Sequence, residues 1–201
     1  LQEHHKASES FENAFEGYKS AAEKIPHFGE FYLDHATYMQ AWSEIEKASA
    51  AHVHENYGDA VKHYEKSASL LGQTKLWSYL CCNFSAWSLL EKGEDLSRKE
   101  RTDESTLTFK RAAELFEEAR KAFEGQIDKI QSPEEKKQAI ELSKASAVRK
   151  DYCSARVNIE EAITHDRKGE HAVSAEKYDS AASCFEEILR AMETETDRKD
   201  I

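Results

Sequence analysis

The stretch Asp59-Ala60-Val61-Lys62-His63-Tyr64-Glu65-Lys66-Ser67-Ala68-Ser69-Leu70-Leu71 decides the fold, because its pattern occurs four times in the chain. An aromatic residue is followed at +3 and +4 by two small ones at Tyr18/Ala21/Ala22, Tyr64/Ser67/Ala68, Phe109/Ala112/Ala113 and Tyr178/Ala181/Ala182. Four places before each aromatic stands a small residue (Ala14, Ala60, Ser105, Ser174), and seven places after it a large apolar one (Ile25, Leu71, Phe116, Phe185). These offsets trace one stripe of an α-helix. Each occurrence therefore predicts a helix whose aromatic sits in an inter-helix seam, beside small residues that let a second helix come close.

The aromatics are 46, 45 and 69 residues apart. A second pattern keeps the same period, since Ala41-Trp42-Ser43 with Ile45-Glu46-Lys47 realigns on Ala86-Trp87-Ser88 with Leu90-Glu91-Lys92, 45 residues on. Ala155, Ile159 and Glu160 take these places a third time, with Arg156 replacing tryptophan. The unit is then a helical hairpin of a longer helix A, a short turn and a helix B. The fold class expected is all-α: an array of antiparallel helical hairpins, about six long helices with one extended hairpin, forming a single domain over 1–201.

Breakers place the boundaries. Pro26 and Gly29 end a first helix from about Ala7 to Ile25, and a long segment follows over 30–55. Asn56 and Gly58 allow a tight turn before a helix over 57–71, and Thr74 caps one predicted over 75–100. That helix lacks charge in its first half, so it is expected to be the most buried. Thr102 or Asp103 should cap the next, and Ser132-Pro133-Glu134-Glu135 is a strong start for a helix running to Arg167. Gly169 precedes the last helix, and a polar tail over 193–201 is expected to fray. The last unit carries 24 extra residues between Phe116 and Ala155, which predicts that both its helices lengthen and project about 18 Å.

Composition narrows the function. With 39% hydrophobic residues the chain has enough apolar material to fold, and its net charge of −11 argues against nucleic acid or an anionic membrane surface. A basic or mixed-charge protein partner fits better. No run reaches the roughly 20 apolar residues of a membrane span, so no membrane insertion is expected. Cys81, Cys82, Cys153 and Cys184 lack CxxC spacing and suit a reducing cytoplasm. Leu1 lies inside a unit by register, which suggests a piece of a longer protein. The nine histidines show neither Glu-x-x-His nor His-Glu-x-x-His spacing, and the glycines stand singly rather than in a phosphate-cradling loop, so neither metal nor cofactor is expected.

Segments such as Ala41-Trp42-Ser43-Glu44-Ile45, followed by Asn56-Tyr57-Gly58-Asp59-Ala60 through Tyr64-Glu65-Lys66-Ser67, are similar to the tetratricopeptide-repeat superfamily. Trp42, Ile45, Ala60, Tyr64 and Ser67 fall on family positions. The longer period and the absence of the family's helix-A glycine at Glu46 resemble the long-helix variants, the soluble NSF-attachment proteins and uncharacterised archaeal repeat proteins. The resemblance implies a TPR-like α-solenoid and a non-enzymatic protein-interaction scaffold that binds a peptide or helix of a partner. If helix A lines the concave side as in that family, Ser43, Lys47, Ala50, Ser88, Lys92, Asp95, Glu161 and His165 look into the groove. Ser43 and Ser88 stand where the family's clamp for acidic tails has basic residues, so that clamp is not reproduced. The extended hairpin is the other candidate binding element, and it can equally meet a second copy in a homo-oligomer. The alternative is an all-helical enzyme or small-ligand bundle with a polar site near Glu161 and His165, where an acid one turn away can orient an imidazole.

Overall fold

Seven α-helices and two single-turn 3₁₀ segments make up 90% of the residues that the computed structural model describes, 2–197, and no strand occurs among them. The helices are α1 (Gln2–Lys24), α2 (Gly29–Val53), α3 (Tyr57–Gln73), α4 (Cys81–Arg98), α5 (Thr102–Ile127), α6 (Pro133–Arg167) and α7 (His171–Asp197). Seven thus stand where about six were expected. The main contacts run from each helix to the next in the chain, with a smaller contact of α4 on α6. None of the described helices is long and apolar enough to cross a membrane. Of the expected fraying over 193–201, helix α7 continues to Asp197 and the rest lies outside the described residues.

Three turns share one geometry. Glu55, Glu100 and Gly169 adopt left-handed φ values of 58°, 57° and 77°. In each case the next N–H returns to a carbonyl five residues back: Asn56 to Ala51 at 2.9 Å, Arg101 to Leu96 at 3.0 Å and Glu170 to His165 at 3.0 Å. This is a helix end closed by a left-handed residue. The left-handed position after α2 is therefore Glu55 rather than Gly58, which belongs to α3. The turns recur at the spacings of the sequence pattern, and so do other bonds. Arg98 pairs with Glu55 as Arg167 does with Glu100, and Ser105 Oγ donates to the Gly93 carbonyl as Ser174 Oγ does to that of Ala162.

Capping explains the remaining boundaries. Ser132 accepts the Glu135 N–H at 3.4 Å at the start of α6, with Pro133 in the first turn. Thr74 caps as expected, accepting the Trp77 N–H at 3.2 Å, but it starts a turn and the 3₁₀ segment Ser78–Leu80, so α4 begins at Cys81. Helix α5 starts at Thr102 rather than being capped by Thr102 or Asp103; Arg101 holds the cap position, and its guanidinium, which carries donors only, cannot accept the free N–H groups of the first turn.

Half of α4 is buried, nine of 18 residues, the largest share of any helix whose buried residues are described. Tyr64 is 4% exposed and stacks on Phe84 and Trp87 of α4, while Phe109 is 0% exposed between Gly93 and the Arg156 guanidinium. Tyr18 is half-buried against Tyr32 and His35. Tyr178 departs from the expected seam and is 45% exposed, because no helix follows α7 among the described residues. Trp42 packs on Phe11 and Phe84, Trp87 on Tyr64 and Phe116, so both tryptophans serve packing.

The added length of α5 and α6 does not stand free as expected. Ala119 and Phe123 are buried in the cluster that holds Ala41, Ile45 and Phe84, and Leu142 packs against it. Ser146 of α6 donates to Asn83 of α4 at 3.2 Å. Apolar residues on both arms thus fold the extension down onto its neighbours, and exposed positions prevail only over 124–138.

Candidate functional site

Glu44 and Lys47 are three apart on α2, and His63 and Lys66 are three apart on α3, so each pair shares a helix face. Packing of α2 on α3 brings the two faces together around the nearly buried Glu44 carboxylate. Lys66 Nζ donates to it at 2.9 Å, Lys47 Nζ at 3.3 Å, and His63 Nδ1 lies 2.7 Å away. From α1, Glu12 takes Lys47 at 2.7 Å and the Ser43 hydroxyl at 3.2 Å. Glu12, Lys47, Glu44 and Lys66 thus form an alternating row of charges across three helices.

The environment fixes these charges. Burial pushes the Glu44 carboxyl upward, but His63, Lys66 and Lys47 outweigh it and hold the group below the usual carboxylate range. Burial opposes the Lys47 ammonium, and Glu12 and Glu44 more than compensate, so its pKa is raised. Glu12 is lowered, chiefly by Lys47. A cleft of about 430 Å³ opens over the row, lined also by Asn13, Glu16 and Gln40. It offers fixed donors and acceptors of both signs, the chemistry to meet a mixed-charge polypeptide rather than to attack a substrate.

The expected groove residues divide among several places. Ser43 and Lys47 line this cleft, though Ser43 is almost fully buried with its hydroxyl engaged by Ser8 and Glu12. Lys47 and Ala50 border a cavity of about 310 Å³ between α1 and α2. Ser88 is also buried and lines a separate cavity of about 460 Å³ with Gly72, Cys81 and Leu115, Lys92 is exposed, and Asp95 pairs with Lys99 at 2.6 Å. Glu161 and His165 share a cavity of about 310 Å³ with Asp103, Leu107 and Thr164. Lys110 and Lys177 hold Glu161, and Glu170 holds His165 Nδ1, so acid and imidazole are each engaged elsewhere.

Spacing did not single out the buried acids. Glu91 and Glu160 are 0% exposed and Glu94 nearly buried. His52 Nδ1 lies 2.9 Å from Glu91, whose carboxyl is pushed up by burial. Arg156 binds Glu94 at 2.6 Å and Glu160 at 3.3 Å, and the Tyr152 hydroxyl donates to Glu94 at 2.9 Å. Burial, then the Glu94 charge, pushes Tyr152 up to about 12. A usable signal existed, since an acid stands beside an apolar residue at Glu46, Glu91 and Glu160 in matching register. Glu46 and Glu91 meet His4 and His52 from other helices, which no local pattern reveals, whereas Glu160 meets Arg156 one turn away on α6 itself. Among the described residues no group of three or more His, Cys, Asp or Glu is placed to hold a metal ion.

No protein-family model matches this chain, and no curated protein or solved structure matches it significantly.

Proposed function

We propose that the chain is a tetratricopeptide-like array of helical hairpins that acts as a non-enzymatic protein-interaction scaffold. The recurring turns at Glu55, Glu100 and Gly169, with their repeated bonds, support the hairpin reading. The observation that carries the binding role is the polar cleft over Glu44, where three helices hold an ordered row of alternating charge next to open space. Its occupant is a peptide or helix of a partner protein, with basic residues favoured by the net charge of −11.

Asn13 and Glu16 are exposed on the cleft wall, so Asn13→Arg with Glu16→Arg blocks it without disturbing the core. Partners retrieved from native lysate and counted by mass spectrometry should fall about tenfold with this variant. Equal recovery of the same partners removes the cleft from the proposal. The second reading, an enzyme or small-ligand site, is favoured by the cavity that Glu161 and His165 share. Small-molecule turnover or binding lost on His165→Ala, with partner recovery unaffected by the cleft variant, would establish it instead.

A further inference from the structure

Along the flank of α7 beside its contact with α6, Ala175, Tyr178, Ala182, Phe185 and Leu189 follow one another at alternating steps of three and four, the spacing of a helix-pairing seam, with Phe185 edge-on to Tyr152 of α6. Tyr178 is 45% and Leu189 59% exposed, Ala175 and Ala182 are exposed, and Phe185 is half-buried. The matching stripe in α5 contains Phe109, Ala113 and Phe116, and in α3 Tyr64, Ala68 and Leu71. There the large members are buried, because α6 and α4 lie over them.

The covered seams also show what kind of helix covers such a stripe. In α5 the register place of Glu186 is held by Glu117, which faces Lys150 of α6 at 3.8 Å, and the place of Tyr178 is held by Phe109, under the Arg156 guanidinium at 5.0 Å. On α7, Asp179 and Glu186 border the stripe on the flank turned away from Ser174 and Ala181, the buried contacts with α6. Arg190 stands on the same flank and reaches Glu186 at 3.3 Å, so the flank carries two acids and one base, and a second copy of α7 would bring two flanks of like net charge together. Helix α1, at the opposite end, exposes no large apolar side chain among the described residues, so it offers no matching face.

We propose that this stripe of α7 is a docking seam for an amphipathic helix of a partner protein, with small and apolar residues toward Tyr178 and Leu189 and a lysine or arginine toward Glu186. The assignment rests on the reading of the chain as an interaction scaffold and names a second surface on it. A helix laid there buries the apolar stripe and adds a base to a flank on which Arg190 stands against the two acids Asp179 and Glu186.

The probe is a labelled synthetic peptide with the sequence of 139–167, carrying Cys153→Ser, in which Lys150 and Arg156 stand on either border of the face that α6 turns to α5. Fluorescence anisotropy against the full chain should show saturable binding, weakened about tenfold by Tyr178→Lys or Leu189→Lys. Both positions are exposed, and unchanged urea midpoints verify that the variants fold. A Lys150→Glu peptide should bind about fivefold more weakly, and Glu186→Lys should restore it. No binding, or equal binding by the Lys variants, overturns the seam. Dimerisation of the chain that Leu189→Lys abolishes would place a second copy there and also overturns it. The Asn13→Arg, Glu16→Arg variant should bind the peptide unchanged. Loss in that variant would mean that the peptide occupies the cleft, whereas failure of the cleft experiment alone leaves the seam standing.

Discussion

Replacing Gly93 by alanine tests the packing of α4 on α5 at its tightest point. A Cβ at Gly93 would lie 2.6, 2.8 and 2.9 Å from three ring atoms of Phe109. The ring is fully buried and backed by the Arg156 guanidinium, so it cannot swing into solvent. Alanine in a helix interior gains about 0.8–1 kcal/mol over glycine. Overpacking costs about 1–3 kcal/mol and falls at the upper end when a rigid ring is the obstacle. The expected net result is a loss of about 1–2 kcal/mol, read as a lower urea midpoint at unchanged slope and a melting temperature down by about 2–8 °C. Gly17 supplies the control within the same molecule, because a Cβ there meets nothing within 4 Å. Gly17→Ala should stabilise by about 0.5–1 kcal/mol. Phe109→Leu removes part of the obstacle, so Gly93→Ala should cost less in that background, with a coupling of about 1 kcal/mol or more. Stabilisation by Gly93→Ala to the same degree as by Gly17→Ala would refute the reasoning.

Two further outcomes follow from the turns and the cleft. Glu100→Gly should stabilise by about 1 kcal/mol by relieving a left-handed residue, since the exposed Arg167 pair it loses contributes little, while Gly169→Ala should destabilise by a similar amount; thermal melts that show the opposite order would contradict the shared turn geometry. Glu44 is held below its unfolded pKa, so its stabilisation is fully present above the unfolded value near 4.3 and is lost as pH falls through the folded one. Glu44→Gln should therefore cost about 1–3 kcal/mol in urea at pH 7 and flatten the decline below about pH 4.5, and a decline as steep as in the parent chain would locate the acid sensitivity elsewhere.

Helix content and the order of the elements were legible in the chain because each is set within a few residues, whereas of the three left-handed positions only Gly169 was marked by its residue type, Glu55 and Glu100 being set by the packing of the hairpins. An aromatic with small neighbours at +3 and +4 marks a helix stripe able to form a seam, as Tyr64 and Phe109 do, and Ser132-Pro133 starts α6 by contacts inside one turn. The polar site was only half legible. Lys47 and Ser43 could be placed on helix α2, but Glu44 becomes a site only when His63 and Lys66 arrive from α3, and that depends on the rotation of one helix against another. The 24 added residues gave the length of α5 and α6 but not their course. Phe123 and Ala119 settle it by burying themselves against Ala41, Ile45 and Phe84, apolar surface that a projecting hairpin would leave in water. Tyr178 makes the same point in reverse. Its local sequence is that of Tyr64 and Phe109, and only the absence of a covering helix among the described residues leaves it exposed, because burial belongs to the neighbour and not to the residue.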